Sequence, residues 1–379
     1  MMTFEILFWL AFVLIFYAYF GYPTLLLFLT LLKNRVDEKG DIKPNVSFVI
    51  TAYNEENQIK DKIENTLKQN YPNDRLEIII ASDCSNDMTD DIVKSYQSRG
   101  LKLVRAPERI GKENAQKYAL DAATGEIFIF SDVATVLNPN GVSNIVRNFN
   151  DPTVGCVSSV DKFIDKDGKI SGEGAYVKYE MLLRDLETKV NSLVSLSGSF
   201  FAARREVCKN WAVDLQSDFN TLLNSVKKGL RGVSDPESIG YYTNIANERK
   251  EFDRKVRTVL RGISVFMKSL SVLNPLKYGL FSWQLFSHKM CRWLVPFGMI
   301  LAFVSNAFLI SYSTFYLYVF ILQFVFYGFA LAGIGLRFFS SNSLLNIPSF
   351  FVLVNLSILS AWYRYFKGER MVRWEPSKR

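Results

Sequence analysis

The amino-acid sequence predicts an α/β domain with a parallel or mostly parallel sheet, flanked by transmembrane helices. The middle of the 379-residue chain, about residues 44–262, alternates short apolar strands with amphipathic helices, which is typical of parallel sheets. The regions around it, residues 4–32 and 293–366, are strongly apolar. A composition of 49% hydrophobic and 15% aromatic residues also argues against an ordinary soluble enzyme.

The first apolar region is predicted to be a retained transmembrane helix. It is longer than the roughly 20 residues that a helix needs to cross a bilayer. It is too long for the core of a signal peptide and lacks a cleavage site of small residues. Lys33, Arg35 and Lys39 follow it, and basic residues favour the cytoplasmic side, so we place the next domain in the cytoplasm. The four scattered cysteines agree with reduced thiols in that compartment.

The first half of the middle region consists of repeated strand and helix units joined by short loops. This pattern favours a parallel sheet. The predicted strands are 46–50, 76–80, 101–105 and 126–130, and the predicted helices are 57–69, 90–98 and 112–123. Neither the Rossmann glycine fingerprint nor the GxxxxGK[ST] phosphate loop occurs, so a nucleotide would have to be held in another way.

The second half of the middle region continues with mixed elements. The predicted strands are 154–160, 200–203 and 230–233, and the predicted helices are 176–190, 218–228 and 248–261. The last helix carries Arg254, Arg257 and Arg261 on one face, because their spacing is three and four residues.

The C-terminal third is predicted to lie in or on a membrane. Residues 263–292 are mixed and read as an interfacial segment, with Lys277, Lys289 and Arg292 facing headgroups. Three stretches within 293–366 are each long enough to span a bilayer, and the tail, 367–379, is basic. Three crossings after a cytoplasmic domain would place this tail outside the cell. Its basic charge, however, favours the cytoplasmic side. Either one late segment does not cross, or residues 270–290 form a re-entrant piece.

Polar side chains follow three of the predicted strands at their carboxyl ends, where open parallel sheets bind ligands. Tyr53 and Glu55 follow the first strand, Asp83 the second and Asp132 the fourth. A carboxylate in the position of Asp132 suits a divalent cation that bridges phosphate oxygens. Alone, it is more typical of a turn or a helix N-cap than of a cation site. The formal charge is +8, and part of it lies in basic clusters beside the apolar segments. This placement favours contact with a membrane surface over nucleic-acid binding.

Taken together and in this order, the motifs resemble those of family 2 glycosyltransferases with the GT-A fold, over about residues 46–262. One helix before the domain and several after it resemble the membrane-bound members that build cell-surface polysaccharides or glycolipids. The resemblance implies a GT-A-like domain and an inverting transfer from a nucleotide-sugar, with a UDP-sugar expected. The implied acceptor is a lipid-linked or growing polysaccharide at the inner face of the cell inner membrane, and polysaccharide export proteins are possible partners.

The resemblance also implies roles for single residues on the donor side. Thr51, Ala52 and Tyr53 match the first nucleotide-contacting loop, with Glu55 beneath the base. Asp83 matches the acid that accepts a hydrogen bond from the uracil ring. Lys112 matches a lysine near the diphosphate. Without the resemblance, Tyr53 would fit the core, Asp83 a turn and Lys112 the surface.

Asp132 matches the first acid of the family's DxD metal motif, whose second acid is replaced by Ala134. The implied Mg²⁺ or Mn²⁺ ion would therefore take one carboxylate from this loop and rely on the diphosphate and water. Asp218 matches the catalytic base, although Ser217 replaces the glutamate that often precedes it. A role as N-cap of the following helix is the alternative.

Arg254 and Arg257 occupy the place of the QxxRW motif, of which neither the Gln nor the Trp is present. Their guanidinium groups suit either the diphosphate or anionic lipid, and both readings stay open. The sole histidine, His288, is expected at headgroup level. The altered motifs leave a catalytically silent scaffold in a polysaccharide assembly complex as an alternative function. A polyprenyl-phosphate sugar transferase is a further alternative, which shares the chemistry and differs only in the acceptor.

Overall fold

A computed structural model of the protein describes residues 1–164, 175–243, 248–335 and 343–371. The chain divides into two compact units. The α/β unit is formed mainly by Leu26–Ala246, and the helical unit mainly by Met1–Leu25 and Trp283–Arg370. The predicted basic tail lies outside the described residues from position 372 onward.

The described residues form eight strands and fourteen α-helices. The strands are β1 (Val46–Ala52), β2 (Leu76–Ser82), β3 (Leu101–Arg105), β4 (Ile127–Asp132), β5 (Val136–Leu137), β6 (Val154–Ile164), β7 (Phe200–Arg204) and β8 (Arg231–Thr243). The helices are α1 (Met2–Phe16), α2 (Tyr22–Leu32), α3 (Ile59–Leu67), α4 (Thr89–Ser95), α5 (Lys112–Ala122), α6 (Gly141–Val146), α7 (Ala175–Val190), α8 (Ser217–Lys227), α9 (Glu248–Lys268), α10 (Pro275–Tyr278), α11 (Leu280–Leu285), α12 (Arg292–Leu309), α13 (Thr314–Gly335) and α14 (Ser343–Phe366).

The eight strands form one mixed sheet in the order β3-β2-β1-β4-β7-β6-β8-β5. Strands β1 to β4 pair in parallel, and β7 runs antiparallel to both of its neighbours. The prediction of a mostly parallel α/β sheet is therefore confirmed. All seven residues of β1 are buried, which is why this strand reads as a nearly continuous apolar run.

Aromatic packing fixes the position of β4, the strand that ends at Asp132. The ring of Phe130 stacks on Phe201 of β7 at 4.7 Å between centroids and on Trp211 at 5.0 Å. The indole N–H of Trp211 in turn donates to the backbone carbonyl of Glu113 on α5 at 2.9 Å. Offset aromatic pairs of this kind add stability beyond the area that they bury. Strand β4 and helix α5 are thus fixed relative to each other, which matters because both carry predicted site residues.

Four helices of the described residues are long and apolar enough to cross a membrane. They are Met2–Leu32, Leu280–Leu309, Thr314–Ile334 and Ile347–Phe366. The second of them begins at Leu280, inside the stretch that was predicted to be interfacial. Two of these helices contain a π-helical segment, Tyr17–Gly21 and Phe286–Cys291. The first lies just before Pro23, which has no N–H to donate, and such local widening lets a helix continue past a proline.

Candidate active site

The loops that follow β1 and β2 are joined by hydrogen bonds at the carboxyl edge of the sheet. The backbone N–H of Asn54 donates to Ser85 Oγ at 3.2 Å, and the N–H of Asn86 donates to Asn54 Oδ1 at 2.9 Å. The N–H of Glu55 donates to Thr89 Oγ1 at 2.8 Å. Because each loop supplies partners for the other, residues predicted on separate loops form one continuous surface.

Tyr53 presents a flat face on this surface, and Arg109 covers it. The guanidinium carbon of Arg109 lies 3.7 Å from the centre of the Tyr53 ring, a cation–π contact. Tyr53 is only partly buried, so it is not a core tyrosine. Together the two planar groups make a platform of the kind on which a nucleobase stacks. No role was predicted for Arg109, although it belongs to the motif that contains Lys112.

Asp83 is fully buried just after the end of β2, and only one of its two carboxylate oxygens is hydrogen-bonded. Its Oδ1 accepts a hydrogen bond from the N–H of Gly111 at 3.1 Å, while its buried Oδ2 has no hydrogen-bond partner. Burial raises the pKa of this carboxyl group, and the Gly111 bond and the nearby Arg109 charge oppose the rise. An unpaired buried acceptor is costly, so a ligand that donated a hydrogen bond to Oδ2 would offset that cost.

Helix α5 brings Asp83 and Asp132 together at its N-terminus. Gly111, just before the helix, binds Asp83, and Lys112 is the first helical residue. The Nζ of Lys112 pairs with Asp132 Oδ1 and also donates to the carbonyl of Gly198 at 3.1 Å. The register of β1 and β4 places Thr51 beside Asp132. The positive end of the helix dipole and an ammonium group thus meet at one point, which suits a phosphate group.

Asp218 lies against Gly198, the residue whose carbonyl accepts a hydrogen bond from Lys112. A side chain on Gly198 would bring its Cβ to 2.8 Å from Asp218 Oδ2, so the carboxylate lies directly against this glycine. Asp218 Oδ1 accepts from the N–H of Phe219 at 2.8 Å, and its Oδ2 accepts from Gln216 Nε2 at 3.1 Å. The N-cap of α8 is Gln216. The alternative interpretation of Asp218 as an N-cap is therefore wrong.

Lys62 is a residue of this region that the sequence analysis missed. It lies on α3, is 3% exposed, and donates to Ser131 Oγ at 2.7 Å and to the carbonyl of Thr135 at 2.6 Å. Both acceptors flank Asp132. Burial lowers the pKa of Lys62 to about 7, and the charge of Asp132 opposes this shift. The signal was present in the sequence, since Lys62 falls on the buried stripe of α3 with Ile59 and Ile63.

Replacing Lys62 by methionine should change how stability depends on pH. The unfolded chain keeps this proton up to about pH 10.5, whereas the folded chain releases it near pH 7. Between these values the unfolded state binds more protons, so the folded wild type gains stability as pH rises, by on the order of 5 kcal/mol. We expect the melting temperature of Lys62→Met, relative to wild type, to be highest at pH 7 and below and to fall towards pH 10.

The control is Lys60→Met, which changes an exposed lysine on the same helix. Its melting temperature relative to wild type should not depend on pH over this range. If the difference for Lys62→Met were equally flat, Lys62 would not be a buried amine with a lowered pKa in the folded protein.

An acid that was not predicted, Asp161, lies near the loop 197–199. Its Oδ1 accepts hydrogen bonds from Ser197 Oγ at 2.6 Å and from Ser199 Oγ at 2.9 Å. The carbonyl of Ser199 accepts a hydrogen bond from the N–H of Asp132 at 3.0 Å. One loop therefore contacts Asp132 and Asp161 and lies directly against Asp218.

A divalent cation fits this region only through a small set of protein ligands. Within the described ranges no group of three or more His, Cys, Asp or Glu side chains could hold a metal ion. Asp132, whose side chain is 25% exposed, is the carboxylate at the phosphate end of the site, and Ala134 offers no ligand. Mg²⁺ commonly binds through one or two carboxylates together with substrate phosphates and water. The residues present fit a cation of that kind.

The predicted arginines lie in the helical unit. Arg254, Arg257 and Arg261 are partly buried on α9, and their assignment to the diphosphate stays a prediction. His288, also in the helical unit, is buried and lies 3.1 Å from Arg292, nitrogen to nitrogen. Ala52 is buried inside β1, so its side chain serves the core and only its backbone remains to contact a ligand.

Comparisons with known proteins identify a family that the α/β region resembles. Residues 47–211 match the model of glycosyl transferase family 2. The poly-beta-1,6-N-acetyl-D-glucosamine synthase of Staphylococcus aureus strain MSSA476 is 25% identical over 209 residues, which are 53% of this chain and 50% of that protein. The synthase of the same name from Staphylococcus epidermidis is 24% identical over 178 residues, 45% of this chain and 42% of its own length. The chain thus spans about half the length of these relatives or less.

A solved structure with a similar fold covers nearly the whole chain. It is a mannosyltransferase from Pyrobaculum calidifontis in complex with GDP-Man and Mn²⁺, with a TM-score of 0.75 and 21% identity over 97% of this chain and 99% of that one. At this identity the likeness establishes the fold, and the GT-A-like expectation is confirmed. The family match by itself identifies residues 47–211 of this chain as a glycosyl transferase family 2 domain.

Proposed function

We propose that the protein is an inverting glycosyltransferase that uses a nucleotide-sugar, with a UDP-sugar as the expected donor. One observation carries the proposal. Asp83, Lys112, Asp132 and Asp218, which are far apart in the sequence, are linked through Gly111 and Gly198 at one edge of the sheet. We assign these four residues, in that order, as the base-reading acid, the phosphate-binding cation, the cation-binding acid and the proton acceptor.

The nucleobase is proposed to stack at Tyr53 and Arg109 and to donate its ring N–H to Asp83 Oδ2. Uracil has such an N–H, and so has guanine, whereas the corresponding ring nitrogens of cytosine and adenine are acceptors. The buried, partnerless oxygen of Asp83 therefore supports a uridine or guanosine donor. The name of the staphylococcal relatives, which are N-acetylglucosamine polymer synthases, favours UDP-N-acetylglucosamine between these two.

Asp83→Asn should weaken nucleotide binding without unfolding the protein. The amide can still accept the Gly111 hydrogen bond, but it presents N–H₂ to the base in place of an acceptor. A lost hydrogen bond to a charged group costs roughly 10- to 100-fold in affinity. We expect the Kd for UDP, measured by calorimetry, to rise by that factor. The control Asp74→Asn, at an exposed position before β2, should leave it unchanged. Equal affinities for the Asp83 variant and wild type would rule out the base contact.

The diphosphate is proposed to lie at the start of α5, next to Lys112 and Asp132. The Lys112 ammonium and the helix N-terminus would neutralise part of its charge. Asp132 would hold Mg²⁺ or Mn²⁺, and Arg254 and Arg257 remain further candidates for this charge. When bound, the cation would act as a Lewis acid on the phosphate oxygens and favour departure of the nucleoside diphosphate.

Asp218 is proposed to accept the proton of the attacking hydroxyl. The acceptor oxygen forms a bond to C1 of the sugar from the face opposite the diphosphate, and the bond from C1 to the phosphate oxygen breaks. The nucleoside diphosphate leaves with the electron pair of that bond, and the acceptor proton passes to Asp218. The position of Asp218 against Gly198, whose carbonyl binds Lys112, supports this assignment.

The acceptor is proposed to be a lipid-linked or growing polysaccharide at the inner face of the cell membrane. Four helices able to cross a membrane and the basic residues after the first of them support this location. Few helices follow the domain, which favours limited addition over long processive synthesis. Polysaccharide export proteins are proposed as partners on the family resemblance alone.

Nucleotide release by the purified protein tests the proposal. The full chain in detergent is incubated with UDP-N-acetylglucosamine or GDP-mannose and Mn²⁺, with and without chelator. We expect chelator-sensitive release of the nucleoside diphosphate from one of the two donors. Nucleotide binding without release from either donor would instead favour the catalytically silent scaffold, which Ala134 and Ser217 motivate. A membrane lipid extract as acceptor distinguishes a polyprenyl-phosphate sugar transferase from a polysaccharide-extending enzyme.

A further inference from the structure

Asp161 is an acid of the site region that has no part in the proposed transfer so far. It lies on β6 and is partly exposed. Ser197 and Ser199 both donate to its Oδ1. Among the described residues, no lysine or arginine pairs with this carboxylate, and Oδ2 receives no hydrogen bond. A carboxylate can accept about four hydrogen bonds. Asp161 is therefore a fixed negative charge with room for further donors.

The strand order relates Asp161 to the proposed donor. Asp83 follows β2, Asp132 ends β4, and Asp161 lies on β6, with β7 between the last two. Neighbouring strands are about 4.8 Å apart, so β6 lies about 10 Å beyond β4 on the side away from Asp83. A donor with its base at Asp83 and its diphosphate at Asp132 points its sugar in this direction. Asp161 thus falls on the side where the sugar meets the acceptor.

We propose that Asp161 binds a hydroxyl group of the acceptor glycan. This inference rests on the proposed function and extends it to the acceptor. Ser197 and Ser199 fix one oxygen of the carboxylate, and the other accepts a charge-assisted hydrogen bond from a sugar hydroxyl. Gly198 stands between these two serines in the sequence, and Asp218 lies against Gly198. One short loop thereby orients two acids, so that Asp161 holds a hydroxyl of the acceptor while Asp218 takes the proton of the attacking one.

Two rates measured on the same protein test this assignment. The full chain in detergent is given UDP-N-acetylglucosamine, or GDP-mannose if the wild type prefers it. The hydrolysis rate is measured without acceptor and the transfer rate with oligomers of β-1,6-linked N-acetylglucosamine. In Asp161→Asn the amide oxygen still accepts from both serines, so the loop should keep its place. We expect the KM for the oligomer to rise roughly 10- to 100-fold, with donor hydrolysis unchanged.

The control is Asp185→Asn, at a half-exposed acid on α7 that pairs with Lys189. It should change neither rate. An unaltered KM for the oligomer in Asp161→Asn would overturn the inference while the proposed function stands. Equal losses of hydrolysis and transfer would place Asp161 on the donor sugar and also overturn it. A wild type that releases no nucleotide from either donor would remove the proposed function, and this inference with it.

Discussion

Asp218→Asn should strongly slow sugar transfer while leaving nucleotide binding intact. A positioned general base contributes about 10²- to 10⁴-fold to a rate, and we expect kcat to fall within that range. The amide keeps the size of the carboxylate and can still accept from the Phe219 N–H, so the fold around α8 should survive. The measurement is single-turnover transfer at saturating donor, together with the Kd for UDP. The two quantities separate a lost proton acceptor from a damaged donor site.

Two further variants make this result specific. Asp214→Asn alters an exposed acid shortly before α8, paired with Lys268, and should retain wild-type turnover. Gly198→Ala places a methyl group 2.8 Å from Asp218 Oδ2, closer than a normal contact, and should displace the carboxylate and lower kcat as well. Full turnover in Asp218→Asn would eliminate it as the base and would turn attention to Asp161 on the other side of the loop.

The first half of the α/β unit was predictable because each element is specified locally. Strand β3 matches the predicted 101–105, and α5 differs from its prediction only at its last residue. Apolar runs bounded by turn residues define such strands without help from the rest of the chain. The carboxyl-edge positions of Asp83 and Asp132 follow from the same pattern, because parallel strands end at a common edge.

The second half was less predictable because its pairing is non-local. A short strand was predicted at 230–233, whereas β8 continues to Thr243 through Asp235 and Pro236. These residues are typical of a turn, yet Asp235 is fully buried and binds Lys39 and Asn148. The conformation around Asp235 depends on partners about 90 to 200 positions away in the chain. The local sequence pattern does not predict these partners.

The same limit explains which site residues were missed. Arg109 and Lys62 act through contacts that form only in the fold: a guanidinium over Tyr53 and a buried amine bound to Ser131. Asp161 sits within a strand whose sequence resembles many others, and its two serine partners lie 36 and 38 positions further along the chain. The motif resemblance identified residues that match a family pattern. Residues particular to this chain required the coordinates.

Asp132→Asn should have the other large effect, on both the rate and its dependence on divalent cation. Asp132 is the carboxylate available to a cation at the phosphate end, and its loss removes charge where the leaving group develops. Removal of one such electrostatic contact typically costs about 10²- to 10³-fold in rate. We expect kcat/KM to fall by this amount and the Mn²⁺ concentration for half-maximal release to rise. Asp121→Asn, at the exposed end of α5, is the matched control and should titrate with Mn²⁺ like wild type.

A substitution that adds a carboxylate tests the same cation site. Ala134→Asp adds a second carboxylate two residues after Asp132, at a partly exposed position. If the cation binds here, the added ligand should lower the Mn²⁺ concentration for half-maximal release, and it should do so only while Asp132 is present. The double variant Ala134→Asp with Asp132→Asn would then need about the same Mn²⁺ concentration for half-maximal release as Asp132→Asn alone. If neither substitution moved the Mn²⁺ titration, the cation would not bind at Asp132, and Lys112 with the N-terminus of α5 would remain to neutralise the diphosphate.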